Sequence, residues 1–238
     1  MNTSFPHIGI LGGMGPLATA DFFAKLTRAT PAERDQDHFA VTIESAPRIP
    51  DRIAGLDGSG ADPLPVLLAT AQRLIDAGCD LIAMPCNTAH LWHERVSSRI
   101  NIPFLHIADA VARRLGAART VGLMGTSATL ASKLYQARVG GGYRWLLPDD
   151  DEMAAHVMPG VAAVKRGEME RAAELLRPLV QHLAARGAEV IVLGCTEIPL
   201  AVSAADASVP LIDATDALAR ATVAAALRMR ESGTCAAA

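Results

Sequence analysis

Two cysteines stand where a thiol can do chemistry. In "LIAMPCNTAHLWHE", Leu81 to Glu94, an apolar run stops at Cys86, and Asn87, Thr88 and then His90 follow. "RGAEVIVLGCTE", residues 186–197, repeats the shape: a glycine, an acid, an apolar run, Cys195, then Thr196 and Glu197. One strand-end cysteine has three readings: a reactive thiol, a small buried side chain, or half of a metal site. Cys86 and His90 have C-x3-H spacing with His93 near, but no histidine stands beside Cys195. Zinc sites usually offer a second clustered pair, so no metal is expected. A redox couple would need the two sulfurs in bonding contact, and a single nucleophile needs one cysteine and a base. Two matched acid/base groups suit another task, removing a proton from one face of a carbon and returning one to the other. A thiolate is basic enough and a thiol acidic enough to do this near neutral pH. That chemistry is racemisation or epimerisation.

The thiolate needs support. A helix starting just after each cysteine is expected to aim N–H groups and its positive end at the sulfur. Asn87, Thr88, Thr196 and Glu197 are placed to cap such helices or to bind substrate. His90 and His93 are expected on the first of these helices, capping or exposed. Cys79, in an apolar context, reads as structural, and His106 and His156 receive no role.

The elements that must position the cysteines alternate. His7–Leu11, Ala40–Glu44, Leu81–Met84, Phe104–Ile107, Thr120–Met124 and Val190–Leu193 read as strands, and Leu211–Ile212 as a further one. Leu17–Thr27, Pro65–Ala77, Ala108–Leu115 and Met169–Ala185 read as amphipathic helices. Continuous apolar strands between helices indicate an α/β protein with parallel sheets covered on both faces.

Three segments recur in the same order at nearly constant offset. "IGILGG" from Ile8 matches "VGLMGT" from Val121; residues 77–88 match 186–197; "IPFLHIADAVA" from Ile102 matches "VPLIDATDALA" from Val209. Two pseudo-symmetric lobes follow, each a short parallel sheet flanked by helices. The first is expected over 1–108, completed by 210–238, and the second over 109–209. Ligands of parallel sheets bind beyond the carboxyl ends of the strands. Both cysteines are therefore expected in one cleft between the lobes.

The 238 residues, 50% hydrophobic and 20% charged, have an ordinary globular composition. A net charge of -3 gives no electrostatic ground for a nucleic-acid or anionic-membrane partner. Met1–Pro6 lacks the parts of a signal peptide, and no apolar run nears the about 20 residues of a membrane span. A cytoplasmic location is expected, with the four cysteines as thiols. Glu231–Ala238 lacks apolar periodicity and is expected to fray, Cys235 with it.

"GILGGMGPLATADFF" (Gly9–Phe23), "IPDR" (Ile49–Arg52), "MPCNTAH" (Met84–His90), "VKRG" (Val164–Gly167) and "GCTEIP" (Gly194–Pro199) together resemble the aspartate/glutamate racemase family, on the side of the cofactor-independent aspartate racemases. The matches are in family order and span nearly the whole chain. The resemblance implies a bilobed α/β homodimer that needs neither pyridoxal phosphate nor metal and acts on a small amino acid. It implies Cys86 and Cys195 as catalytic residues, and Arg52 and Lys165 as partners of substrate carboxylates. Met14, Asn87, Thr88, Thr126, Ser127 and Thr196 fall where the family lines its pocket. Two departures bear on the side chain accepted: Ile53 replaces the threonine common after "IPDR", and Arg48 stands where a neutral polar residue is frequent. Aspartate is the first expectation.

Two alternatives stand beside it. Hydantoin racemases, maleate cis-trans isomerases and arylmalonate decarboxylases share the wider fold and use one or both cysteines on other substrates. The other is a non-catalytic dinucleotide-binding module. Gly13–Ala18 fits G-x-G-x-x-A after a strand, with Glu44 ending the next strand where a ribose-binding acid would sit. In the racemase reading these glycines instead let the backbone approach a substrate carboxylate.

Overall fold

The computed structural model describes residues 5–232. Cys235, with the other residues beyond Ser232, lies outside them. The chain forms two compact units. One runs to Ile107 and is rejoined by the chain from Leu218; the other is Ala108–Ala217.

The first unit holds a three-stranded sheet of β1 (His7–Gly12), β2 (Ala40–Ser45) and β3 (Leu81–Ala83), in the order β2-β1-β3. The second holds β4 (Thr120–Met124), β5 (Arg144–Leu146), β6 (Val190–Leu193) and β7 (Leu211–Asp213), in the order β5-β4-β6-β7. Every pairing is parallel. β3 and β6 are buried along their whole length, as continuous apolar runs require, whereas edge strand β2 is half-exposed.

The sequence repeat is reproduced at the level of register. Ile8 pairs with Leu81 and Gly9 with Ile82; Val121 pairs with Val190 and Gly122 with Ile191. The Gly-x-acid signature before β3 and β6 has a physical role in both units. Gly78 (φ 82°) and Gly187 (φ 95°) end the preceding helices in the left-handed conformation. There the N–H of Cys79 reaches Leu74 O at 3.1 Å, and that of Ala188 reaches Leu183 O at 3.1 Å. The acid then ties down the start of the neighbouring strand. Asp80 accepts from His7 N–H at 2.7 Å, and Glu189 accepts from Thr120 N–H at 3.1 Å and from Arg119 N–H.

Two expectations are corrected. Phe104–Ile107 is not a strand: it meets β3 through one bridge, Ile82 to Phe104. Pro103 has no N–H to extend the ladder, and a helix begins at Ile107. In addition, Pro210–Arg230 does not return whole to the first unit. Its strand, β7, pairs with β6, and only the helix Ala214–Ser232 crosses into the first unit at Leu218. β7 is thus the counterpart of the Phe104 bridge, as the match of Ile102 with Val209 implies. β5 is an element that the sequence reading lacks, although Gly140–Gly142 and Pro148 bracket it as turn signals.

Candidate active site

In the first unit, Cys86 stands just beyond the carboxyl end of β3, 6% exposed, in a core with Leu11, Met14, Ile49, Met84 and Trp92. No α-helix starts at once after it. Asn87 leads into a 3-10 segment, Thr88–Trp92, and the short helix His93–Ser97 follows. The expected helix start is therefore a 3-10 segment that runs directly into this helix. Asn87 makes no side-chain cap there, and both it and Thr88 are buried. His90 and His93 are also buried, against expectation. His90 Nε2 accepts from Ile107 N–H at 3.1 Å, so its proton sits on Nδ1, which donates to Cys86 O at 2.8 Å. Both ring nitrogens are engaged, which removes the C-x3-H metal pair. Burial, followed by the neighbouring His106, holds the His90 pKa well below its ordinary value.

The glycine loop before the helix Pro16–Ala29 also serves the fold. Gly13 (φ 94°) has Ala46 N 2.4 Å from where its Cβ would be, and its N–H donates to Thr19 Oγ1 at 2.8 Å. The chain after β2 takes the space of a side chain there, which is a packing reason for glycine at this position. Glu44, the acid required by the dinucleotide reading, is paired with Arg73 Nε at 2.9 Å. Arg52, half-buried, donates through Nη1 to Ile49 O at 3.2 Å and Pro50 O at 3.1 Å, beside Asp51, which caps the helix Arg52–Asp57. Arg48 is exposed.

In the second unit, Cys195 stands beyond β6, 4% exposed. Its Sγ donates to Glu197 Oε2 at 3.1 Å, and Thr196 Oγ1 donates to the same oxygen at 3.2 Å. The helix after it is one 3-10 turn, Ile198–Leu200. Gly194 N–H donates to Met124 O, joining this loop to the one after β4. There Thr126 caps the helix Ser127–Ala131, its Oγ1 3.3 Å from Thr129 N and 3.0 Å from Thr129 Oγ1, while Ser127 is exposed. Thr126, Cys195 and Thr196 thus gather at one end of this sheet. Lys165 is exposed in the last turn of the helix Met158–Arg166, whose Val164 packs in the same core as Cys195. Among the described residues, no group of three or more His, Cys, Asp or Glu is arranged to hold a metal.

The sequence profile of the Asp/Glu/Hydantoin racemase family matches residues 11–222. The chain belongs to this family. Its reading as an amino-acid racemase is supported by relatives that match most of its length. It is 29% identical to the broad specificity amino-acid racemase RacX of Bacillus subtilis, over 91% of this chain and 96% of that one. It is 31% identical to the glutamate racemase of Herpetosiphon aurantiacus, over 66% and 65% of the two chains. Among solved structures, the aspartate racemase of Picrophilus torridus superposes with a TM-score of 0.84 at 32% identity, covering 93% of this chain and 94% of that one.

Tyr135 packs beside the loop that carries Cys195. It is fully buried, with Cε2 3.1 Å from where a Gly194 Cβ would be. Burial first, then the neighbouring Cys195 and Asp213, push its hydroxyl far above the usual phenol range. The thiol contact of Glu197 did have a signal, its place two residues after a repeated cysteine.

Proposed function

We propose that the chain racemises an acidic amino acid, aspartate first, by two-base proton transfer through Cys86 and Cys195, without cofactor. The observation that carries this reading is the repeated build. Each cysteine follows a fully buried strand paired at the same register with the first strand of its sheet, β1 or β4, after the same glycine turn and acid clamp. One thiolate takes the α-hydrogen, and the other thiol protonates the opposite face of Cα. Arg52 and Lys165 hold the carboxylates. Met14, Asn87, Thr88, Thr126, Ser127 and Thr196 line the pocket, and their donors stabilise the carbanion-like state.

The aspartate racemase of Picrophilus torridus supports aspartate, whereas RacX and the glutamate racemases support wider acceptance. Arg48 and Ile53 are the positions that would tune this choice. We further infer a homodimer working in the cytoplasm, from the family resemblance. Among the described residues no helix is long and apolar enough to cross a membrane.

The test is a chiral screen of both enantiomers of the standard amino acids, and of hydantoins, without added cofactor. α-Hydrogen exchange in deuterated water is followed alongside it. Turnover of aspartate from both enantiomers is expected. Cys86→Ser and Cys195→Ser should each lower it by about 10²–10⁴-fold. Racemisation at the original rate in both variants would refute the two-thiol mechanism.

A further inference from the structure

The two cysteines share a build, but the residues that follow them differ. Two positions after Cys86 is Thr88, which carries no charge; two positions after Cys195 is Glu197. The Glu197 carboxylate is 5% exposed and accepts from Cys195 Sγ at 3.1 Å. Thr196 Oγ1 donates to the same oxygen at 3.2 Å, and Cys195 O accepts from Ile198 N–H at 3.1 Å, which closes the turn carrying Glu197. We infer that Glu197 is a positioning residue that holds Cys195 as the protonated thiol, so the resting enzyme is set to give a proton from Cys195 and take one at Cys86.

The inference rests on the two-thiol racemase reading and adds an inequality between its two halves. A thiol donating to a buried carboxylate is stabilised; a thiolate at that distance from the same carboxylate is opposed by like charge. When Cys195 acts as acid, its S–H bond breaks, the Cα–H bond forms, and the electron pair stays on Sγ while Glu197 keeps its charge. Cys195 is then a thiolate beside a carboxylate, the less stable of the two enzyme forms. Enantiomers have equal free energies, so kcat/KM must be equal in the two directions. The inequality therefore shows only in kcat and KM taken separately.

The test uses the whole protein without substrate. Iodoacetamide labelling of Cys86 and Cys195 is timed by peptide mass spectrometry at neutral pH, in wild type and in Glu197→Gln. Labelling follows the thiolate fraction. Cys195 should label faster in Glu197→Gln by about tenfold for each unit its acidity rises, with Cys86 unchanged. Glu197→Asp, which keeps the charge but shortens its reach, should fall between, and it tests the assignment even where glutamine is not tolerated. With aspartate, the kcat values for the two enantiomers should differ in wild type and converge in Glu197→Gln, each KM moving with its kcat. Cys195 labelling that is unchanged or slower in both variants, with circular dichroism intact, overturns the inference. That readout needs no turnover, so it is separate from a failure of the racemase reading, which the chiral screen decides.

Discussion

The imidazole of His90 ties the carbonyl of Cys86 to the backbone of Ile107, donating to the first at 2.8 Å and accepting from the second at 3.1 Å. Cys86 thus sits on a loop held by a neutral, fully enclosed ring rather than by a helix end. Replacing His90 with Leu leaves a buried carbonyl and a buried N–H without this partner. We expect a loss of about 1–3 kcal/mol for each orphaned group, measured by urea unfolding. A fall in kcat larger than any change in KM should accompany it.

The same ring makes stability depend on pH. Its folded pKa lies well below the ordinary 6.5, through burial first and then His106, with the rings of His93 and Phe104 also packed against it. Above about pH 6.5 neither state is protonated and the contribution is fully present. As pH falls below that, the unfolded chain takes up a proton that the folded one does not, and stability is lost. The expected slope is about 1.4 kcal/mol per pH unit for this one group. It should be visible in urea midpoints between pH 7.5 and pH 5, and shallower in His90→Leu.

Gly122 and Gly194 are places where one added carbon should be costly. A Cβ at Gly122 would lie 2.9 Å from Ile191 Cγ1, and one at Gly194 would lie 2.7 Å from Leu123 Cδ1 and 3.0 Å from Met124 O. We expect each alanine variant to lose about 1–3 kcal/mol. The loss should be greater at Gly194, where backbone cannot yield as a side chain can. Thermal unfolding of the two variants checks the order.

Cys79 offers the opposite expectation. Its counterpart in the second unit is Ala188, and the two occupy matching seats beneath Gly9 and Gly122. Burial raises its thiol pKa, so it is a poor nucleophile. Cys79→Ala should keep full racemase activity and lose no more than about 1 kcal/mol. Loss of turnover in a folded Cys79→Ala protein would contradict the structural role.

Much of the fold was legible because its signals are local and repeated. The apolar run Val190–Leu193, the amphipathic helix Met169–Ala185 and the two strand-end cysteines all stand where the pattern places them. What escaped depends on distant partners. "FLHI" has the composition of a strand, but Pro103 before it and the helix at Ile107 after it leave room for one bridge. The histidines of "MPCNTAHLWHE" read as capping or exposed, yet the 3-10 segment holding His90 and the helix opened by His93 direct them inward to Ile107 and Phe104. The resemblance names Arg52 as a carboxylate partner. Spacing alone could not show that one arm of its guanidinium is turned to its own loop's carbonyls.

The shared seat beneath Gly9 and Gly122 also bears on how the chain finds its fold. A parallel strand that slips by one residue against its neighbour turns every side chain to the opposite face. In β1 such a slip brings Ile8 or Ile10 over the Leu74–Cys79 seat, where even a Cβ would have 3.2–3.3 Å. In β4 it brings Val121 or Leu123 over Leu183 and Ala188. Each glycine therefore acts as a gauge that only the correct alignment passes, and the same alignment sets where the loops carrying Cys86 and Cys195 begin.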